Sequence, residues 1–248
     1  MIGEVLRLAI LLGVLYKLRL IRFKFSFSFD PRLREFLKTA SFLVIGMVAM
    51  GLNPIVDKAM ASWLEKGSVS ILEYAYRLYF IPITVLATAT FTVILSYWSN
   101  SFYASTSSHL KHVYKTFKII GLIALITTFI LLLMSSSIVR FVFGRGSLKG
   151  EQLADIQAVF IFYCIGLVPY LGWSLLARYY IVVKATNVFM IFMFINLILH
   201  ILLNFLFIWL LGLKGIALST TVTCFLVVLL AAYSLKHLRN IKIGTAKR

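Results

Sequence analysis

The stretch Ser68-Val69-Ser70-Ile71-Leu72-Glu73-Tyr74-Ala75-Tyr76-Arg77-Leu78 opens an apolar run that reaches Tyr97. The run is long enough to cross a bilayer, which takes about 20 apolar residues in helical form. Glu73 and Arg77 are one turn apart with the acid first, so they share a helix face in the favourable order for an ion pair. Arg77 then lies roughly 12 Å along the axis from the helix start, at 1.5 Å per residue. A cation at that depth is costly unless it meets a partner, a cavity or a ligand. One reading is a structural pair that neutralises two charges. The other is an arginine facing a central cavity and holding an anionic headgroup. The planar guanidinium suits phosphate because it makes two charge-assisted hydrogen bonds.

The rest of the chain has the same character. Of its 248 residues 61% are hydrophobic, where soluble domains average roughly 45–50%. The mean hydropathy is +0.97. These values imply an all-α polytopic membrane protein. The formal charge of +17 would suggest nucleic acid in a soluble chain. Here the charge lies in short loops between apolar segments, so it reports topology and no nucleic-acid partner is expected. Cys164 and Cys224 stand alone in apolar stretches and read as small packing residues. The start carries Glu4 and Arg7 and ends in basic residues, unlike a cleavable signal peptide.

Seven segments are candidate spans: 2–18, 37–56, 69–98, 116–139, 153–176, 188–211 and 216–235. The first is short and charged, and the fifth continues amphipathically toward Val183. Lys and Arg concentrate on one side. That side has Lys17, Arg19, Arg22, Lys24, Arg32, Arg34 and Lys38, then Lys111, Lys115 and Lys118, then Arg178 and Lys184, then the tail from Lys236 to Arg248. The other side has Lys58, Lys66, Arg140, Arg145, Lys149 and Lys214. The positive-inside rule puts the tail in the cytoplasm and Met1 outside. An external start on a weak first helix is what a piece from the middle of a longer transporter would show. The expected organisation is a first helix in 1–22, a basic linker in 23–36, a six-helix lobe in 37–238 and a basic tail in 239–248.

Prolines mark the helix interruptions. Pro54 follows Asn53 near the outer end of the second segment, Pro82 lies five residues past Arg77, and Pro169 lies within the fifth segment. Each removes a backbone donor and can kink a helix. Each reads as a packing kink or as a hinge for alternating access, with Pro54 and Pro82 the favoured hinges. Asp57 beside Lys58 can cap a turn, pair with that lysine or hold a cation. Asn196, His200 and Asn204 recur every fourth residue and make one polar stripe. Such stripes bond to neighbouring helices or line a cavity, and with Asn53 and Asp57 they are candidate cavity-lining residues. His109 and His112 read as part of a solvated basic loop. Phe143-Gly144-Arg145-Gly146 reads as a turn that ends the fourth segment. There is no HExxH, GxSxG or P-loop, so neither a catalytic site, a metal nor a cofactor is expected.

At several of these places the chain resembles the MviN-type lipid II flippases of the multidrug/oligosaccharidyl-lipid/polysaccharide exporter superfamily. The residues are Val56-Asp57-Lys58-Ala59-Met60-Ala61-Ser62, Gly67-Ser68-Val69-Ser70, Tyr74-Ala75-Tyr76-Arg77-Leu78 and Ile81-Pro82. Phe143-Gly144-Arg145-Gly146 and Leu211-Gly212-Leu213-Lys214-Gly215-Ile216-Ala217-Leu218-Ser219 fit the same family. The resemblance runs from about Arg32 to Leu238. It implies a fold of two six-helix lobes around a cationic cavity, of which this chain supplies the second, its first helix matching the family's sixth. It implies alternating access for a polyprenyl-diphosphate-linked peptidoglycan precursor, with Arg77 as a cavity arginine. It also implies a first lobe, with the other cavity arginines, on a separate polypeptide or a second copy. The family usually has an acid immediately before the arginine, where this chain has Tyr76, and Glu73 is the expected substitute. The alternatives are a flippase for another polyprenyl-linked glycan, of O-antigen or capsule type, and a truncated remnant that does not transport.

Overall fold

A computed structural model describes residues 2–17, 31–103, 109–145, 148 and 150–245. The expected linker residues 23–30, Gly146 and the tail residues 246–248 lie outside the described residues. Nine helices are present among the described residues: α1 (Ile2–Lys17), α2 (Pro31–Ala61), α3 (Ser68–Tyr103), α4 (His109–Leu133), α5 (Ser135–Phe143), α6 (Gly150–Ile165), α7 (Leu167–Val182), α8 (Thr186–Leu211) and α9 (Leu213–Thr245). The chain divides into two compact units, Met1–Lys38 and Thr39–Arg248. The first holds α1 and the opening of α2. The second is the helical lobe.

Five helices are long and apolar enough to span a membrane, and the α6–α7 pair makes a sixth if it counts as one span. These correspond to the expected second to seventh segments. The expected first span is α1, only 16 residues long. It rises about 24 Å at 1.5 Å per residue, short of a hydrocarbon core of about 30 Å.

Helix ends depart from the hydropathy reading where the first turns are basic. α2 begins at Pro31, because proline at a first helical position lacks only a donor that would be unpaired anyway. The end of the expected linker is therefore helical. α4 begins at His109, since His109, Val113, Phe117, Ile120 and Ala124 form one inward face. The lysines between them, Lys111 and Lys115, give this stretch the sequence character of a loop. α9 runs on through most of the expected tail to Thr245.

The lobe is inverted relative to a soluble protein. Met47, Val93, Phe129 and Trp209 point outward, as lipid-facing residues should. Inside, Ala61, Ala75, Ala124, Ala217 and Ala231 are fully buried. Small residues let helix backbones approach, which is how spanning helices associate without a hydrophobic driving force. One core cluster joins α3, α4, α6 and α9 around Trp98, Phe160 and Tyr163. A second joins α2, α7, α8 and α9 around Trp173, Tyr180 and Phe192.

The expected fifth span is broken at Gly166, where α6 and α7 meet at 43°. Pro169 has no N–H for the Ile165 carbonyl, so the α-helical ladder cannot run through. Gly166 N–H instead donates to Tyr163 O at 2.9 Å. That leaves Phe162 O without its usual partner, and Thr221 Oγ1 of α9 donates to it at 2.8 Å. Thr128 Oγ1 of α4 donates to Cys164 O at 3.4 Å. Buried carbonyls freed by a break must be satisfied by protein in this way. Gly166 permits the approach, since a Cβ there would sit 2.5 Å from Thr221 Oγ1. Pro54 and Pro82 lie inside helices that run on through them. Between α8 and α9 the chain reverses on Gly212, whose φ of +57° favours glycine.

Candidate functional site

Two polar groups occupy the lobe near the turn that joins α2 to α3. The first is a triad of charges. Glu73 Oε1 accepts from Arg77 Nε at 3.0 Å, the i,i+4 pair that the spacing predicts. Glu73 Oε2 lies 2.8 Å from Lys58 Nζ on α2. The expected alternative of a Lys58 pair with Asp57 is not what forms. Consecutive residues on a helix diverge by about 100°, so Lys58 faces α3 while Asp57 faces α8. One carboxylate therefore serves two cations. Arg77 remains 73% exposed on its side chain, and among the described residues its terminal nitrogens make no hydrogen bond. Its fork points out of the lobe while its Nε is tethered.

The second group is buried. Asn53 Nδ2 donates to Asn196 Oδ1 at 2.7 Å. Asp57 Oδ1 lies 2.7 Å from His200 Nε2 and accepts from Asn204 Nδ2 at 2.8 Å. Ser219 Oγ of α9 donates to Asn204 Oδ1. Asn53 and Asp57 are one turn apart on α2, as are Asn196, His200 and Asn204 on α8. The two stripes join rung by rung with both numbers rising, so α2 and α8 run parallel. Asn196, His200 and Asn204 are at most 4% exposed. In this structure the stripe faces neighbouring helices, the first of the two readings that its spacing left open. His200 has a carboxylate partner 143 residues away that no local pattern announced.

Tyr76 lies where the resemblance led us to expect an acid. Its ring stacks on Phe80 at 5.6 Å and meets Tyr163 edge-on at 5.8 Å. Tyr79 stacks on Tyr163 at 5.3 Å. Position 76 therefore faces an aromatic wall between α3 and α6, and the acid next to the arginine is Glu73.

His109 departs from its expected solvated loop. It is buried on α4, stacked on Tyr179 at 5.9 Å, with Nδ1 2.7 Å from Ser101 Oγ. A further open cleft of about 410 Å³ lies between the α2–α3 turn, the start of α6 and the α8–α9 turn. Its charged lining, Glu65, Lys66, Glu151, Asp155 and Lys214, mixes both signs. Among the described residues no group of three His, Cys, Asp or Glu side chains could hold a metal ion.

Comparison with known proteins gives the family and the fold. The profile of the family described as lipid II flippase MurJ matches residues 1–247. A probable lipid II flippase MurJ of Aquifex aeolicus is 26% identical over 217 residues, covering 84% of this chain and 42% of that protein. The lipid II flippase MurJ of Thermosipho africanus is 30% identical over 172 residues, 66% of this chain and 34% of that protein. Among solved structures, a lipid II flippase MurJ in an inward closed conformation superposes with a TM-score of 0.73 at 28% identity. It covers 86% of this chain and 45% of that one. An outward-facing multidrug resistance MATE family transporter of the MOP superfamily reaches 0.74 at 14% identity, covering 93% of this chain and 53% of that one, a likeness of fold alone. The chain spans less than half the length of these flippases.

Proposed function

The chain belongs to the lipid II flippase MurJ family, and from that premise we propose that it forms the second lobe of a flippase for undecaprenyl-diphosphate-linked peptidoglycan precursor. It works in the bacterial cytoplasmic membrane with its tail on the cytoplasmic side. Arg77 binds the diphosphate. Lys58 and Glu73 hold it in position, and Pro54 and Pro82 let α2 and α3 bend as access alternates. The opposite wall of the cavity comes from a first lobe on a separate polypeptide or, as the lesser alternative, a second copy of this chain.

The observation that carries this reading is the arginine itself. A guanidinium pointing out of a spanning helix would be costly against lipid tails. Facing a cavity, it offers free N–H groups to an anion. Its tether to Glu73 uses Nε and leaves the two terminal nitrogens for a bidentate grip on phosphate. The net charge of Lys58, Glu73 and Arg77 is positive, so the group attracts a diphosphate rather than cancelling itself.

The test is lipid II translocation in proteoliposomes carrying this chain together with the first lobe, whichever polypeptide supplies it. Arg77→Ala should abolish translocation while leaving assembly intact. Translocation at the unmodified rate would remove Arg77 from the site.

A further inference from the structure

We propose that Arg140 and Arg145, together with the ring of Phe141, form a binding surface for an anionic phospholipid headgroup at the outer face of the bilayer. Of the cations assigned to that side, Arg140, Arg145 and Lys149 lie close together after α4, and no acid stands between Lys118 and Glu151. Topology selects against positive charge in outer loops, so a cluster there has another cause. The function proposed above makes no use of it.

Helix length puts this cluster at headgroup level. Lys118 of α4 is exposed, and Arg140 lies about 33 Å further along the helix at 1.5 Å per residue. The hydrocarbon core is about 30 Å thick, so a span with Lys118 at one surface has Arg140 at the other. Met134 hardly interrupts the run. Its N–H donates to Ile130 O and its carbonyl accepts from Ile138 N–H, each at 2.9 Å. Leu122, Leu125, Phe129 and Leu133 are all exposed, at the three- and four-residue spacing of one helix face. Two further steps of four reach Ser137 and then Phe141, which is 76% exposed. The lipid-facing surface of α4 thus continues to the arginines. Trp63 and Trp209, exposed at the same end of the lobe, mark the same level, since indole rings collect at membrane surfaces.

The inner side of α5 is fixed to the lobe. Val139 is buried, Gln157 Nε2 of α6 donates to Ser135 Oγ at 3.4 Å, and the Phe143 ring meets that of Tyr74 on α3 at 5.0 Å. The outer side is thereby held outward. There Arg140 and Arg145 are exposed, and among the described residues neither has an acidic partner. Arg145 Cζ lies over the Phe141 ring, 6.0 Å from its centroid. The ring supports the guanidinium without neutralising it. Arginine takes phosphate through paired charge-assisted hydrogen bonds. A soluble anion would need only the two cations. The exposed phenylalanine, continuous with the lipid-facing residues of α4, favours a phosphate that carries acyl chains, because segments held at the headgroup boundary combine basic and aromatic side chains. The choice of leaflet rests on the orientation proposed above, but the binding does not.

The direct test is arginine-selective dicarbonyl labelling of the full chain in lipid nanodiscs, read peptide by peptide by mass spectrometry. Arg140 and Arg145 should react several-fold more slowly in phosphatidylglycerol than in phosphatidylcholine. Inorganic phosphate added to the phosphatidylcholine nanodiscs should not reproduce that protection. Native mass spectrometry from neutral detergent gives a second reading. Arg140→Gln combined with Arg145→Gln should lose a retained phosphatidylglycerol. Lys66→Gln combined with Lys214→Gln removes the same charge from the same side and should keep it. The labelling uses the unmodified chain, so it decides the matter even if the arginine variant fails to fold. Equal labelling rates in the two lipids overturn the proposal. So does protection by free phosphate, or an equal loss of bound lipid in the two pairs of variants.

Discussion

Lys58 Nζ of α2 lies 2.8 Å from Glu73 Oε2 of α3, so the acid that accompanies Arg77 is shared with a second cation from another helix. The arrangement leaves the arginine tethered but not neutralised. It also links α2 to α3 close to the turn that joins them.

Glu73→Gln should therefore release both cations at once. All three side chains are at least a quarter exposed, and exposed pairs contribute about 0–1 kcal/mol. Thermal unfolding in detergent should shift by only a few degrees. Lipid II translocation should fall by much more than that small shift explains, because Arg77 loses its aim. Equal losses in stability and translocation would make the triad a purely structural device.

Arg77→Lys keeps the charge and loses the fork. If the site grips a diphosphate bidentately, an ammonium should serve poorly. We expect translocation reduced by roughly tenfold or more, equivalent to about 1.4 kcal/mol, with the thermal midpoint unchanged. Full activity in the lysine variant would show that only charge matters at this position.

The Asp57–His200 contact should be strongly non-additive. Removing one member of a buried pair costs on the order of 3–5 kcal/mol, since the other is left uncompensated. Asp57→Asn combined with His200→Asn should cost less than the sum of the two single changes. A double-mutant cycle measured by unfolding in mixed micelles reads the difference. Additive costs would mean that the two side chains do not interact.

The break at Gly166 makes a similar coupled prediction. Gly166→Ala forces a Cβ against Thr221 Oγ1, and overpacking of this kind costs roughly 1–3 kcal/mol. Thr221→Ala removes the donor to Phe162 O, worth about 1 kcal/mol. Together the two changes should cost less than their sum, because the smaller side chain makes room for the new methyl. Unfolding midpoints of the four proteins decide it.

The outline of the lobe was legible because hydropathy is a property of a segment. Six apolar runs appear as α2, α3, α4 with α5, α6 with α7, α8 and α9. The starts of α2 and α4 were not legible. Their first turns carry exposed basic residues, Arg34 and Lys111, which a hydropathy reading takes for a loop. The break within the fifth run was half legible: Pro169 was visible, but the turn it imposes falls three residues earlier, at Gly166. The Glu73–Arg77 pair could be read from spacing alone, because i,i+4 neighbours on a helix meet whatever surrounds them. Lys58 was missed as the second partner of Glu73, although the divergence of neighbouring side chains already argued against its pairing with Asp57.

By itself, then, the chain determined that it is helical, that it lives in a membrane, and that Glu73 and Arg77 share a face. These follow from local periodicity and apolar length, which act within one segment. Only the tertiary structure decided which way each polar stripe turns. Asp57 had four open readings, and its partners are His200 and Asn204, on a helix more than a hundred residues away. That choice rests on the parallel packing of α2 against α8, driven by the need to satisfy buried polar groups where there is no water. A stripe on one helix specifies that a partner must exist, and the packing of the whole lobe specifies which.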